Sequence, residues 1–175
     1  MVVDDRQQNM IMTGKNALRE SAVDLALDGT LDGFCHRLPL RVYYEDTDAG
    51  GIIYHAQYLA FAERARSAWL RCLGIDQSAM LRAEKRGFIV RRIEIDFLLP
   101  SGLGTVLEIE SRLLRLGGAS LKLQQNIMNR ENGHILALLV IELGLVEFSK
   151  GNSAKVCRLP TAIKTKFSGL VTSIR

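Results

Sequence analysis

Hydrophobic and polar residues follow two different periods along this chain, and the change between them predicts the order of its elements. Apolar residues occupy alternate positions from 38 to 44, which is the period of a half-buried β-strand. From residue 58 to 73 they recur every three or four positions, as they do on the buried face of an amphipathic helix. Gly74 follows this helical pattern and provides a C-terminal stop.

Beyond Gly87 the period of two returns, and the chain is predicted to be mainly β-strand. The last of these strands is apolar through Ile141, as expected of a central strand that is covered on both faces. Short helices are predicted before and after the strands, over 79–86 and 160–170. The predicted strands are 92–97, 107–110, 121–127 and 134–148, with turns at Gly117-Gly118 and Asn132-Gly133.

One strand, one long helix and a run of antiparallel strands together predict an α+β fold. The apolar stripe of a single long helix has to be covered, so the sheet is expected to curl around it. We expect one domain over residues 34–150. Residues 1–33 are predicted to be a flexible N-terminal extension, whose first 32 residues can be removed without unfolding the domain. Residues 151–175 are predicted to be a C-terminal tail that includes the second short helix.

Composition and charge narrow the range of partners. The 175 residues are 47% hydrophobic, which is enough for one core, and they carry a net charge of +4. Such a small excess is compatible with acidic small ligands such as phosphorylated cofactors. Nucleic acid is not expected as a partner, because the sequence has no basic run, RNA-binding aromatic signature or zinc-finger spacing.

The cysteines and the apolar runs bear on the location of the protein. Cys35, Cys72 and Cys157 are widely spaced and form no CxxC pair, which is typical of reduced thiols in a cytoplasmic protein. The apolar run 135–141 is far shorter than the roughly 20 residues that span a bilayer, so no transmembrane segment is expected. Residues 1–10 include two acids and no apolar core, unlike a signal peptide.

The candidate chemistry is concentrated in residues 44–58, YEDTDAGGIIYHAQY, where three acids follow the first predicted strand. Asp46, Asp48 and Gly51 match positions 1, 3 and 6 of a calcium-binding loop, but position 12 is Gln57 in place of the bidentate Glu. A strand also precedes this loop, where a calcium hand has a helix. No metal is therefore expected.

Two interpretations of the loop remain open on the residues alone. The acids, among them Glu45 and Asp46, can simply lie beside the positive N-terminus of the following helix. Ala56 and Gln57, however, are poor caps, and they leave the first N–H groups of the helix without an obvious acceptor. Free N–H groups beside a carboxylate are also what binds a developing oxyanion.

The block RVYYEDTDAGGIIYHAQYLAFAERARS, residues 41–67, closely resembles the opening motif of the hotdog-fold acyl-CoA thioesterases. More narrowly, it is similar to the 4-hydroxybenzoyl-CoA thioesterase family, in the branch that includes the acyl-CoA thioesterase encoded with the Tol-Pal envelope system. The resemblance covers roughly residues 34–150. It implies a single hotdog fold, in which a curled antiparallel sheet wraps around one long central helix.

The resemblance implies hydrolysis of acyl-CoA to free acid and CoA by residues of this block. Asp48 corresponds to the catalytic acid, which acts as nucleophile or as general base. Backbone N–H groups of residues 54–57 correspond to the site that polarises the thioester oxygen. His55 corresponds to a second catalytic residue that supports the site, and Tyr44 and Tyr54 to substrate-binding residues. Neither a cofactor nor a metal is implied.

The resemblance further implies a homo-oligomer, either a dimer or a tetramer, with active sites built between subunits. Glu63 lies in the long helix, where a sister branch carries its catalytic acid, and here it is expected to pair with Arg64 or Arg66. Two other functions remain open, namely a hotdog hydratase or dehydratase and a non-catalytic acyl-CoA-binding or scaffold module linked to the envelope system. Candidates for contact with the CoA phosphates are Lys85, Arg86, Arg91, Arg92 and Lys122.

Overall fold

The computed structural model describes residues 27–149 and 153–171, and an antiparallel sheet of seven strands forms its centre. The strands are β1 (Thr30–Asp32), β2 (Cys35–Arg41), β3 (Arg86–Phe97), β4 (Val106–Leu116), β5 (Ser120–Asn129), β6 (Ile135–Phe148) and β7 (Ala154–Val156). The helices are α1 (Gln57–Cys72), α2 (Gln77–Glu84) and α3 (Thr161–Ser168), and one turn of 3-10 helix covers Tyr44–Asp46. Across the sheet the order is β1-β2-β4-β5-β6-β3, and β7 pairs with the end of β6.

Alternate residues of the central strands are buried together with one side of α1. In the pairing of β4 with β5, for example, Ile109 lies opposite Ile127, and both side chains are fully buried. The buried side of α1 includes Ala62, Ala65 and Ala68, whose small side chains let a helix approach a sheet closely. The α+β class is thereby confirmed, and α1 covers nearly the same residues as the predicted amphipathic helix.

The last two strands at one side of the sheet, β6 and β3, differ in how well the sequence predicts them. β6 pairs with β5 on one side and with β3 on the other, which confirms that the apolar last strand is central. β3 begins at Arg86, six residues before the predicted start. The chain leaves α2 at Lys85, which takes the left-handed conformation with φ of +56°, so Gly87 lies inside the strand and does not make the turn. Among the described residues β3 is the last strand at its side of the sheet.

The sheet starts upstream of the predicted boundary at residue 34. β1 pairs with β2, and Thr30 lies opposite Arg37. Gly29 has φ of +74°, and a Cβ there would lie 2.1 Å from the carbonyl oxygen of Arg37, so only glycine fits. Residues 30–32 therefore form an outer strand of the sheet, and removing the first 32 residues would delete it. The remainder of the predicted extension, residues 1–26, lies outside the described residues.

The short helix predicted over 160–170 is present as α3, and it packs on the domain. Phe167 is buried, and its ring meets that of Trp69 edge-on with 5.8 Å between centroids. Lys166 donates from Nζ to the carbonyl oxygens of Leu73 at 2.6 Å and Gly74 at 3.1 Å, and so satisfies acceptors at the end of α1. The described part of the predicted tail thus contributes to the core, and residues 150–152 and 172–175 lie outside the description.

His36 of β2 is fully buried where β1 crosses the C-terminal half of α1. Its Nε2 donates to the carbonyl oxygen of Asp28 at 2.6 Å, so Nδ1 is the unprotonated nitrogen, and Nδ1 has no partner among the described residues. The imidazole stacks on Trp69 with 6.3 Å between ring centroids. Burial lowers the pKa of His36 below its ordinary value, and the Asp28 carbonyl opposes this effect only in part.

We expect the pKa of His36 to make the folded state less stable in mild acid. Below the unfolded pKa of about 6.5 the unfolded chain takes up a proton that the folded chain does not, so stability falls as pH falls through this window. His36→Gln should therefore show a flatter dependence of the melting temperature on pH between about 5 and 7. His134→Gln, at an exposed position, should keep the wild-type slope. Equal slopes for all three proteins would contradict this assignment.

Candidate active site

The segment between β2 and α1 folds into a short hairpin whose tip carries the two glycines. The Asp48 N–H donates to the Ile52 carbonyl at 2.9 Å, and the Gly51 N–H donates to the Asp48 carbonyl at 3.0 Å. Gly51 has φ of +76°, which glycine adopts without steric cost. These bonds fix the backbone of Asp48 on both sides.

The Asp48 side chain is exposed, and its two oxygens differ. Oδ1 accepts the N–H of Gly50 at 2.8 Å, the bond of an Asx turn. Within the described residues Oδ2 has no hydrogen-bond donor. One oxygen therefore orients the carboxylate while the other remains open to a reacting group.

Asp46, two residues earlier, is held in the opposite way, because its side chain is only 1% exposed. Its Oδ2 accepts the N–H of Tyr43 at 2.8 Å, and its carbonyl oxygen accepts the N–H of Tyr54 at 2.9 Å. Oδ1 is buried and has no partner in the part of the chain that the structure describes. Asp46 thus ties the 3-10 turn to the residues that lead into α1, which is a structural task.

The start of α1 leaves backbone N–H groups unengaged. Ala56 precedes the helix and supplies no side-chain cap. Of the four N–H groups over 54–57, that of Tyr54 is bound to Asp46 and that of Gln57 donates to the Tyr54 carbonyl at 2.8 Å. The N–H groups of His55 and Ala56 have no acceptor among residues 27–149 and 153–171. The expected oxyanion donors are therefore reduced to these two, beside the positive end of the helix.

A cavity of about 270 Å³ opens beside His55, one of these two residues. His55 lines it, and the ring of Tyr54 lies 4.4 Å from the imidazole between centroids. Asp48 does not line this cavity, and neither does Tyr44, whose side chain is 82% exposed. The remaining lining residues are Ile52, Ile53, Tyr58, Phe97, Leu98, Leu99 and Pro100. Of the four predicted site residues, only His55 therefore lies in the cavity wall, with the ring of Tyr54 against its imidazole, and Tyr54, Asp48 and Tyr44 do not line the cavity.

Sequence patterns did not single out Tyr58 and Phe97 as cavity residues. Tyr58 matches the apolar period of α1, and Phe97 matches the alternation of β3, so both are indistinguishable from core residues by pattern. A signal was nevertheless present in the run Phe97-Leu98-Leu99-Pro100, since four consecutive apolar residues do not alternate. In the structure all four are exposed. An apolar run at the end of an edge strand is typical of a binding or interaction surface.

Glu63 is a partner of Arg66, as predicted. Its Oε2 accepts from Arg66 at 2.5 Å, and its Oε1 accepts from Ser67 at 3.2 Å. Arg66 is itself buried and also donates to Oε1 of Gln125 at 2.8 Å. Glu63 is therefore part of the helix-to-sheet packing and is not aimed at the hairpin of Asp48.

Three of the five basic residues that are candidates for contact with the CoA phosphates form ion pairs with acids of this chain. Arg86 pairs with Glu147 and Glu84, Arg92 with Glu94, and Lys122 with Glu142. Within the described residues Lys85 and Arg91 have no such partner.

Among the described residues, no set of three or more His, Cys, Asp or Glu side chains is grouped in a way that could hold a metal ion. Over the same residues no helix combines the length and apolarity that crossing a membrane requires.

Comparison with known proteins identifies relatives of this arrangement. The family model of the thioesterase superfamily matches residues 50–135. The acyl-CoA thioester hydrolase YbgC of Escherichia coli O157:H7 is 47% identical over 96 residues, which cover 55% of this chain and 71% of that protein. The acyl-CoA thioesterase YbgC of Haemophilus influenzae is 36% identical over 132 residues, which cover 75% of this chain and 93% of that protein.

A solved structure agrees with these relatives in fold. The probable thioesterase from Bartonella henselae is 36% identical, covers 72% of this chain and 99% of its own, and superposes with a TM-score of 0.64. The likeness in fold therefore covers most of this chain.

We expect Asp46→Asn to destabilise the fold and Asp48→Asn to leave it intact. An amide at position 46 replaces one of the two carboxylate oxygens by an NH₂ group. This group would lie either against the Tyr43 N–H, which is itself a donor, or at the buried position of Oδ1, where no acceptor is described. The cost should be about 1–3 kcal/mol of unfolding free energy. Asp48→Asn keeps Oδ1 for Gly50 at an exposed site and should change stability by less than about 0.5 kcal/mol. Urea unfolding measures both, and equal effects would refute the distinction.

Proposed function

We infer that this chain, which belongs to the hotdog-fold thioesterase superfamily, is an acyl-CoA thioester hydrolase that releases a free acid and CoA. The observation that carries the inference is the 47% identity to an acyl-CoA thioester hydrolase over 71% of that protein's length. Further support comes from Asp48 Oδ2 and from the N–H groups of His55 and Ala56, none of which has a hydrogen-bond partner among the described residues. The hotdog arrangement, in which the sheet curls around α1, is part of this proposal.

The proposed reaction needs an ionised acid and a site for negative charge. Asp48 either attacks the thioester carbonyl carbon through its open oxygen or takes a proton from a water that attacks it. In both routes negative charge develops on the carbonyl oxygen. The N–H groups of His55 and Ala56 are proposed to receive that charge, and each such donor typically contributes about 10²–10³ in rate.

The leaving group explains why so few side chains are needed. A thiolate is weakly basic, since an alkyl thiol such as that of cysteine has a pKa of about 8.5, so its departure does not require a strong general acid. His55 is proposed to support the site from the cavity wall, and Tyr54, whose ring contacts it, to contact the substrate. Tyr44 is proposed to contact the substrate from outside the cavity, since its side chain is the most exposed of these.

The narrower placement and the location of the protein are also proposals. The block YYEDTDAGG followed by YH supports the Tol-Pal-associated branch of the 4-hydroxybenzoyl-CoA thioesterase family. A cytoplasmic location is supported by the acyl-CoA substrate and by the free state of Cys35, Cys72 and Cys157. The folded domain is proposed to extend from about residue 28 to α3.

Assembly into a homo-oligomer is proposed from the open edge of β3. This strand has 12 residues and no neighbour on its outer side among the described residues, and an open edge of this length tends to acquire a partner. Ile89 and Val90 are exposed along it, and the apolar run 97–100 continues the surface to the cavity. Pairing of two β3 edges would bring the cavity of one subunit close to the other.

Asp48→Asn is expected to lower kcat by at least about 10²–10⁴ because an amide neither attacks a thioester nor accepts a proton. Thiol release from a panel of short, long and aromatic acyl-CoAs measures the effect. Glu45→Gln is the matched control, since Glu45 is an exposed acid of the same loop and should retain turnover. Near-normal turnover of Asp48→Asn would reject this mechanism. Hydration of an enoyl-CoA by the wild type would instead favour a hydratase. Binding of acyl-CoA without turnover would favour a scaffold module.

Val90→Lys is expected to convert the protein to a monomer of about 19.5 kDa with little activity, because it places a charge on the open edge. Sedimentation at micromolar concentration distinguishes the monomer from a dimer or tetramer. Leu81→Lys on α2 is the control, since Leu81 is about as exposed as Val90 but lies off the sheet edge. A wild-type protein that sediments as a fully active monomer would contradict the proposed assembly.

A further inference from the structure

The loop between β3 and β4 lies against the hairpin that carries Asp48. The Ile53 N–H donates to the Ser101 carbonyl at 2.8 Å, and Ile52 forms an antiparallel bridge with Gly102. We name residues 101–105 the support loop. Backbone atoms of this loop therefore hold the returning side of the hairpin, just before the chain enters α1.

The support loop is in turn bonded to the end of β2. The Gly104 N–H donates to the Val42 carbonyl at 3.0 Å, and the Val42 N–H donates to the Thr105 carbonyl at 2.9 Å. Arg41 donates from Nη1 to the Gly104 carbonyl at 3.0 Å. Within the loop, the Ser101 hydroxyl donates to the Thr105 hydroxyl at 2.9 Å. Because hydrogen bonds are directional, these contacts fix the loop relative to the sheet.

Gly102 is the residue of the support loop that lies against the tip of the hairpin. A Cβ at this position would lie 2.9 Å from the Gly51 carbonyl oxygen. Even in a weak C–H···O contact the carbon stays about 3.3–3.6 Å from the oxygen, so a side chain at 102 would push the Gly51 peptide group away. The φ angle of Gly102 is not positive, and its backbone conformation alone does not require glycine. The close approach to Gly51 is therefore what requires glycine at 102.

A displacement at Gly51 would be transmitted to Asp48. The Gly51 N–H donates to the Asp48 carbonyl at 3.0 Å, and the Asp48 N–H donates to the Ile52 carbonyl at 2.9 Å. The peptide groups on both sides of the Gly51 carbonyl are thus bonded to Asp48. Gly50, whose N–H orients Oδ1 of Asp48 at 2.8 Å, is the residue next to Gly51. Both the backbone and the carboxylate of Asp48 therefore depend on the position of Gly51.

The proposed oxyanion donors have a separate attachment. The Tyr54 N–H, one residue before His55, is bound to the Asp46 carbonyl at 2.9 Å and not to the tip of the hairpin. A shift of the tip therefore changes the distance between the Asp48 carboxylate and the N–H groups of His55 and Ala56, because the two do not move together.

We propose that Gly102 is a positioning residue for hydrolysis. It leaves room for the Gly51 carbonyl, and the support loop thereby fixes the Asp48 carboxylate relative to the N–H groups of His55 and Ala56. The proposal rests on the proposed thioesterase function, and Gly102 acts through Asp48 without contact to the substrate. The rate of reaction between positioned groups depends steeply on their separation, and a misplacement of about 1 Å can cost about 10²-fold.

Gly102→Ala should lower kcat about 10-fold, because the added methyl group requires a shift at the tip of the hairpin that is smaller than 1 Å. KM should change by less than about 3-fold, since Tyr54 and His55 keep their own attachment. Thiol release from the acyl-CoA that wild type hydrolyses fastest measures both constants. Gly118→Ala is the matched control, because a Cβ at Gly118 meets open space and φ there is not positive.

The same substitution in the Asp48→Asn protein tests whether Gly102 acts through Asp48. Gly102→Ala should then lower the remaining kcat by less than about 2-fold, because the group that it positions is already lost. A wild-type kcat in Gly102→Ala, or an equal loss of kcat in both backgrounds, would overturn the proposal.

Amide hydrogen exchange measures the attachment of the hairpin without any substrate. In Gly102→Ala, exchange at the Asp48 and Gly51 N–H groups should be about 10-fold faster than in Gly118→Ala, while exchange at the Leu123 N–H in β5 stays the same. An equal rise at Leu123 would show a general loss of stability and would overturn the positioning role.

Ser101→Ala provides a second variant that adds no atoms, should Gly102→Ala not fold. It removes the hydrogen bond between the Ser101 and Thr105 hydroxyls, so kcat and the protection of the Asp48 N–H should both fall, by less than in Gly102→Ala. No change in either quantity would contradict the role of the support loop. A wild-type protein that releases no thiol from any acyl-CoA would reject the hydrolase itself, and the exchange rates would then still decide whether Gly102 holds the hairpin.

Discussion

The hydrogen bond from the Tyr54 N–H to the Asp46 carbonyl is the constraint on which the rest of the site depends. It joins the 3-10 turn to the residue that precedes His55, over 2.9 Å, and the Asp46 carboxylate is in turn bound to the Tyr43 N–H. Because the Asp46 side chain is buried, breaking its bond leaves an unpaired polar atom in an apolar surrounding. The hairpin of Asp48 and the start of α1 therefore keep one relative position. A carboxylate and an oxyanion site act on the same thioester only when their separation is fixed.

The position of the start of α1 also depends on how the rest of the helix is held against the sheet. Midway, Gln125 of β5 donates to the Ala62 carbonyl at 3.1 Å and accepts from the buried Arg66 at 2.8 Å. At the C-terminal end, Lys166 binds the last carbonyl groups and Trp69 is packed between His36 and Phe167. Polar contacts of this kind are directional, and they limit sliding of the helix in a way that apolar packing alone does not. The free N–H groups of His55 and Ala56 consequently keep a fixed direction.

The sequence predicted those parts of the molecule in which many residues repeat one period. α1, β6 and the central antiparallel strands were found because ten or more residues, or several neighbouring strands, obey the same pattern. β1 has only three residues, too few for a period, and together with its neighbour Gly29 it lies inside the predicted N-terminal extension. In the site, Asp48 and His55 came from their place in a recognisable block. The engagement of the Tyr54 N–H by a backbone carbonyl involves no side chain, so no sequence pattern reveals it.

The proposed oxyanion donors and the wall of the cavity come from different parts of the chain. The proposed oxyanion donors are the backbone N–H groups of His55 and Ala56, whose position depends on Asp46 and on the packing of α1 and not on the side chains of the cavity wall. The cavity wall is made instead by side chains at the end of β3 and in the first turn of α1. These two segments are distant in sequence and meet through the aromatic contact between Tyr58 and Phe97. A change at 97–100 therefore alters the cavity wall without moving the N–H groups of His55 and Ala56, whereas a change at Asp46 acts on the start of α1 itself.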